Sequence, residues 1–144
     1  MKNILVSLDF SEDTSTVVSK AIEQAQAFGA KVWLLHAAAP DPDFVGYEVG
    51  PQYIRDFRAK ELREEHKELQ ELTEGIKAKG IDAEGLLIQG ATVETIMSEA
   101  EKLQIDLIVC GHHEHGFFHK LFFESVSAGI IQQSAIPVML VAIK

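Results

Sequence analysis

The sequence is poor in the features that mark secreted, membrane-spanning or disulfide-linked proteins. It contains one cysteine, Cys110, which excludes an internal disulfide and favours a reducing compartment. Its apolar runs are short, and residues 105–110 are interrupted by Asp106, well below the roughly 20 residues that span a bilayer. Residues 1–11 lack the apolar stretch and the cleavage site of a secretory signal. We therefore expect a cytoplasmic protein that does not insert into membranes.

Basic residues are also scarce. The chain has 13 lysines and arginines against 22 acidic residues, which gives a formal net charge of -9. A field of that sign repels both nucleic acid phosphates and the anionic surface of a membrane. We expect no nucleic acid and no membrane among the partners of this protein.

The rest of the composition is that of an ordinary globular domain. The chain has 144 residues, of which 47% are hydrophobic and 24% charged. A domain of this length removes about two-thirds of its unfolded surface from water, which is enough for one core. No internal repeat divides the sequence, so we expect residues 1–144 to form a single domain.

Short apolar runs alternate with segments of helical periodicity. The predicted strands are residues 4–6, 32–37, 83–89, 107–110 and 137–143. The predicted helices are a segment that Ser11 caps and Gly29 ends, then residues 52–79, 93–103 and 124–133, and residues 40–51 form a proline-rich loop. This βαβαβαβαβ order predicts a three-layer α/β/α fold, with a parallel sheet, right-handed crossovers and helices on both faces.

In open parallel sheets the ligand crevice lies outside the carboxyl ends of the strands, where the strand order reverses. The junctions after strands one and four are therefore the first candidates, and they cover residues 7–11 and 111–125. Asp9 could accept hydrogen bonds from a sugar or an adenine amino group. A glycine-bearing loop that leads into a helix could hold phosphates on backbone N–H groups.

Four motifs in this order make the sequence resemble the universal stress protein family over essentially its whole length. Residues 4–12 read ILVSLDFSE, residues 34–37 read LLHA, residues 106–111 read DLIVCG, and residues 137–141 read PVMLV. The resemblance implies a five-stranded, mainly parallel sheet of order 3-2-1-4-5, Rossmann-like and similar to the adenine nucleotide alpha hydrolases. It also implies a stress-response binding protein without robust catalysis, a homodimer through residues 138–143, and a regulatory protein as a further partner.

The resemblance further implies an adenine-nucleotide cleft. Its residues here would be Ser7, Asp9, Ala37, Gly111, Gly116, Ser125 and Val126. ATP-binding members carry glycine, two residues, glycine, nine residues, then Gly-Ser or Gly-Thr. Counted from Gly111, the second and third glycine positions hold Glu114 and Glu124, while Ser125 keeps the hydroxyl.

Those two glutamates act against a triphosphate. A non-glycine residue forced to positive φ costs about 1–2 kcal/mol, and a carboxylate near a phosphate adds repulsion of about 1–4 kcal/mol. We expect ATP to bind weakly or not at all, with AMP less affected and no obligatory cofactor. The alternative is a functional ATP- or AMP-binding member with slow ATP hydrolysis.

The remaining candidates for chemistry receive less support. The histidines at positions 112, 113, 115 and 119, with Glu114 and Glu124, suggest a metal site, but we favour a loop whose side chains diverge and predict no metal. An ATP pyrophosphatase needs a glycine-rich loop after strand one, and residues 7–11 contain no glycine. A phosphoacceptor domain needs an aspartate at the end of strand three, and residues 86–90 contain none. We predict no catalytic residues.

Overall fold

The computed structural model describes residues 1–8, 14–38, 52–89, 92–113 and 128–143, and statements on structure below concern these residues. The strands are β1 (Asn3–Leu8), β2 (Lys31–Ala38), β3 (Ala83–Gln89), β4 (Leu107–His113) and β5 (Val138–Ile143). The helices are α1 (Thr14–Phe28), α2 (Gln52–Lys77) and α3 (Thr92–Lys102), and residues 128–133 are also helical. The predicted cap at Ser11 and the loop at residues 40–51 lie outside the described residues.

The five strands form one sheet in the order β3-β2-β1-β4-β5. All four neighbouring pairs are parallel, so the predicted order 3-2-1-4-5 is confirmed. β1 lies in the centre, with Val6 opposite Leu34 of β2 on one side and opposite Val109 of β4 on the other. Because every strand runs the same way, all carboxyl ends meet at one edge of the sheet.

The core has two halves, one on each face of the sheet. On the first face, Ile4 and Val6 of β1 pack with buried residues of α1 and α2, such as Ala21 and Leu69. On the second face, the intervening Leu5 packs with buried residues of α3 and of helical residues 128–133. Successive strand side chains point to opposite faces, so a strand covered on both sides must be apolar throughout. This is why the strands appear in the sequence as continuous apolar runs, and the three-layer prediction is confirmed.

Two glycines end the first two helices as expected. Gly29 has φ of 66° and Gly80 has φ of 83°, the left-handed conformation that glycine adopts without a β-carbon penalty. Phe28, the last residue of α1, is 55% exposed, because it lies beyond the last buried residue of the helix, Ala25.

Both central strands that border the predicted crevice are longer than the sequence suggests. β1 includes Ser7 and Leu8, which we had placed in the junction. β4 continues through residues 111–113, and their predicted loop conformation was wrong. These three residues pair with Val141, Ala142 and Ile143 of β5, and this pairing satisfies backbone groups that a loop would leave to solvent.

The amino-terminal edge of the sheet is fixed by a carboxylate. Asp106 Oδ2 accepts hydrogen bonds from the backbone N–H groups of Lys2, at 2.7 Å, and Asn3, at 3.0 Å. These two bonds favour the ionised form and lower the pKa of Asp106 below its ordinary value. The residue before β4 is thereby joined to the start of β1.

Among the described helices, none is both long and apolar enough to cross a bilayer.

Candidate functional site

Among the described residues, the strands end at different levels at the carboxyl edge of the sheet. Leu8, the last described residue of β1, lies opposite His36, and β2 continues through Ala37 and Ala38. On the other side, Ser7 lies opposite Cys110, and β4 continues three residues further. We call this position, at Leu8 between the ends of β2 and β4, the notch.

The notch lies at the switch point of the fold. α1 and α2 cover one face of the sheet, whereas α3 and residues 128–133 cover the other. The strand order reverses between β1 and β4, since the chain crosses from the β3 edge to β4 on the second face. Ligands of open parallel sheets bind at such a point, outside the strand ends. The reversal of strand order lies between the two strands whose junctions the sequence singled out, and a crevice there stays a prediction.

Three of the predicted cleft residues lie in the described strands. Ser7 is partly buried near the end of β1, and Gly111 follows the residue that faces it on β4. Ala37 lies on β2, on the other side of β1 from Gly111. Its backbone pairs with Ile88 of β3, and its side chain is not among those the structure describes. The structure thus brings these three positions to the rim of the notch. Outside the described residues lie Asp9, Glu114, Gly116, Glu124, Ser125 and Val126.

A histidine and a glutamate, which the sequence did not indicate as a pair, meet beside the notch. His36 Nδ1 lies 3.1 Å from the carbonyl oxygen of Leu8, and His36 Nε2 lies 3.3 Å from Glu65 Oε2 of α2. The side chains are 11% and 27% exposed, respectively. The pair connects the ends of β1 and β2 to the helix that covers them.

The chemistry of this contact is fixed by its acceptors. A carbonyl oxygen only accepts hydrogen bonds, so His36 Nδ1 carries the hydrogen in the contact with Leu8. In the neutral ring Nε2 then presents a lone pair to Glu65. Glu65 Oε2 is buried and has no hydrogen-bond donor among the described residues. The contact therefore leaves a buried carboxylate oxygen beside a ring nitrogen, at the carboxyl end of β2.

No signal in the sequence pairs His36 with Glu65. The two residues are 29 positions apart in sequence, and α2 carries several glutamates that no local pattern distinguishes. Only the position of α2 relative to β2 selects Glu65. The neighbouring His66 is exposed on α2.

The histidine cluster after β4 is only partly described. His112 is partly buried, and its backbone pairs with Ala142 of β5. The side chain of His113 and both His115 and His119 lie outside the described residues. Within the part of the chain that the structure describes, no three metal-ligating side chains come together.

The fold defines an open, parallel α/β protein whose strand order reverses between β1 and β4. A comparison with protein families identifies the member of that class. The model of the universal stress protein family matches residues 1–142. The chain belongs to the universal stress protein family.

Individual relatives match along most of their length. A universal stress protein of Thermus aquaticus is 32% identical over 143 residues, covering 97% of this chain and 98% of the relative. A universal stress protein of Archaeoglobus fulgidus, solved in complex with dAMP, has a TM-score of 0.65 at 20% identity and covers 98% of both chains. Another solved member, in complex with cAMP, has a TM-score of 0.69 at 22% identity, covering 97% of this chain and 96% of that one. The solved structures show the same fold.

Proposed function

We propose that this protein is a regulatory, stress-response binding protein without robust catalysis, and that its adenine-nucleotide cleft is degenerate and binds ATP weakly or not at all. The observation that carries the proposal is the replacement of two glycines of the family's ATP-binding motif by Glu114 and Glu124. Membership of the family across residues 1–142 supports the regulatory role. The notch at β1 supports a cleft at the expected place.

The two glutamates weaken a triphosphate site in two ways. Each removes the backbone freedom of a glycine, at about 1–2 kcal/mol where φ must be positive. Each also adds a carboxylate to a protein whose net charge is already -9, and a carboxylate near a phosphate costs about 1–4 kcal/mol. For one glutamate these two costs amount to about 2–6 kcal/mol, which lowers affinity by about 30-fold to 20,000-fold, since about 1.4 kcal/mol corresponds to a factor of ten.

The second candidate is a functional nucleotide-binding member that prefers a monophosphate and has slow ATP hydrolysis. It is favoured by the two solved relatives, whose ligands, dAMP and cAMP, each carry a single phosphate. A monophosphate has less charge to place near Glu114 and Glu124. A response to AMP therefore distinguishes the second candidate from a cleft that binds no nucleotide.

Titration of the protein with ATP and AMP at fixed magnesium, read as a change in melting temperature and as heat, tests the proposal. A ligand that binds only the folded state raises the melting temperature according to its concentration and dissociation constant. We expect little response to ATP in the parent protein and a tighter ATP constant in the variant Glu114→Gly/Glu124→Gly. A submicromolar ATP constant in the parent protein would contradict the degenerate cleft. No response to millimolar AMP would remove the second candidate.

We further propose a homodimer in which residues 138–143 of two copies pair antiparallel. β5 is an edge strand, and among the described strands it pairs only with β4. Its Val141 and Ile143 face the core, whereas Leu140 is 42% exposed and Ala142 is exposed as well. An apolar edge strand with free backbone groups favours pairing with a second copy, and a two-fold axis makes that pairing self-limiting.

The composition of the protein supports our proposals on its partners and its compartment. The net charge of -9 supports the absence of nucleic acid and membrane partners. The lone cysteine is buried in β4, which is consistent with a reducing cytoplasm. A regulatory protein partner remains part of the proposal.

A further inference from the structure

Gly111 lies at the rim of the notch, yet its backbone gives no reason for a glycine. Among the described residues, the glycines with positive φ are Gly29 and Gly80. Any residue could adopt the backbone conformation at position 111. The reason for glycine must therefore lie in the space around it.

That space is already occupied by two buried side chains. A β-carbon at position 111 would lie 2.5 Å from Ile143 Cδ1 and 3.2 Å from Val17 Cγ2. Carbon atoms in contact prefer about 3.5–4.0 Å, so the first distance is incompatible with an alanine unless Ile143 moves. Ile143 and Val17 are 5% and 3% exposed, which leaves little room for such a shift.

The three residues belong to three different elements. Ile143 is the last residue of β5 and lies opposite His113, two positions beyond Gly111 on β4. Its side chain therefore crosses diagonally over β4 to reach Gly111. Val17 lies in the first turn of α1, the helix that follows the β1 junction. This contact thus connects the edge strand β5 with β4 and with α1.

We propose that Gly111 is a positioning residue, which seats Ile143 against Val17 and thereby holds the end of edge strand β5 in place. In this role the glycine serves packing rather than the approach of a phosphate. The consequence for self-association rests on the homodimer proposed above, because β5 is the strand that would pair.

A double-mutant cycle on positions 111 and 143 tests this assignment. Gly111→Ala should lower the melting temperature by about 5–10 °C, as expected for an overpacked core. Ile143→Val removes Cδ1, the atom that would contact the new methyl group, and should cost about 2–5 °C alone. The double variant should melt above Gly111→Ala, since the two changes compensate. Gly75→Ala, at a glycine with no neighbouring atom within 4 Å of the added carbon, is the control and should not melt lower.

Sedimentation of the same variants tests the consequence for the edge strand. It should show weaker self-association in Gly111→Ala and recovery in the double variant. A double variant that melts as low as the sum of both single changes would overturn the packing role. If the parent protein is monomeric, the proposed homodimer fails, while the melting cycle still decides the role of Gly111.

Discussion

At the scale of single residues, the contact between His36 and Glu65 lies between α2 and the carboxyl end of β2. Glu65 Oε2 is buried without a donor among the described residues, although it lies 3.3 Å from His36 Nε2. A buried acceptor left unsatisfied costs about 1–3 kcal/mol. A neutral side chain that carries a hydrogen-bond donor at position 65 should therefore remove this cost from the free energy of unfolding.

Replacement of Glu65 by glutamine supplies that donor. In the variant Glu65→Gln, the amide N–H can donate to the lone pair of His36 Nε2, so we expect the free energy of unfolding to stay equal or rise by about 1 kcal/mol. The measurement is urea unfolding of the parent and the variant in the same buffer. Glu68→Gln, at an exposed position of the same helix, is the control. A loss of more than about 1 kcal/mol would show instead that a charged pair holds α2 in place.

A second residue-scale prediction concerns acid and the start of β1. The pKa of Asp106 is lowered by the backbone N–H groups of Lys2 and Asn3, which hydrogen-bond its ionised form. A carboxyl whose folded pKa lies below its unfolded pKa stabilises the fold above the unfolded value, about pH 4, and loses this effect as the pH falls through the folded value. We expect Asp106→Asn to be less stable than the parent at neutral pH.

That difference should shrink as the pH is lowered from about 5 and vanish below the folded pKa. Thermal unfolding of both proteins at a series of pH values from neutral into this acidic range measures the difference. Glu101→Gln changes the net charge equally at an exposed position of α3 and serves as the comparison. A gap between Asp106→Asn and the parent that is independent of pH would rule out the carboxylate as its cause.

At the scale of elements, the end of α2 fixes the direction in which the chain enters β3. Gly80 has φ of 83°, and the N–H of Gly80 donates to the carbonyl oxygen of Lys77 at 2.9 Å. A β-carbon there meets no neighbouring atom, so the penalty for alanine comes from backbone conformation alone. A substitution at this position therefore measures the cost of the left-handed backbone conformation without a steric contribution from neighbouring side chains.

We predict that Gly80→Ala lowers the free energy of unfolding by about 1–2 kcal/mol. Gly80→Asn should lower it less, since asparagine tolerates the left-handed conformation better than alanine does. Chemical unfolding of both variants provides the measurement. Equal losses for alanine and asparagine would mean that the turn reorganises rather than keeping its φ.

At the scale of the whole molecule, the apolar edge at β5 decides whether the protein acts alone. Leu140 and Phe28 are both large, exposed apolar residues, at 42% and 55%. They differ in place, since Leu140 lies on the edge strand and Phe28 ends α1 near the amino ends of the strands. A charged residue introduced at each position in turn therefore tests whether self-association depends on β5 or on exposed apolar surface in general.

We predict that the parent protein sediments as a dimer at micromolar concentration and that Leu140→Lys sediments as a monomer. A lysine in an edge strand opposes pairing with another chain. Phe28→Lys should remain dimeric. A monomeric parent protein, or a dimeric Leu140→Lys, would contradict pairing through β5.

Much of the architecture was predictable from local pattern. The apolar runs fixed five strands, the helical spacing between them fixed the crossovers, and the right-handed rule then required a parallel sheet with two covered faces. The same topology predicted that Ser7 and Gly111 lie near each other at the carboxyl ends of β1 and β4, and the strand pairing places them there. The limits of β4 were not predictable, because residues 111–113 contain glycine and histidines and extend only by pairing with β5.

The sequence by itself determined the order of elements, the family and the replacement of two motif glycines by Glu114 and Glu124, because these depend on residue type and spacing along the chain. Tertiary structure alone decided that His36 meets Glu65 and that Ile143 fills the space beside Gly111. Those contacts join positions 29 and 32 residues apart. They depend on how helices and strands pack in three dimensions, which no local pattern records.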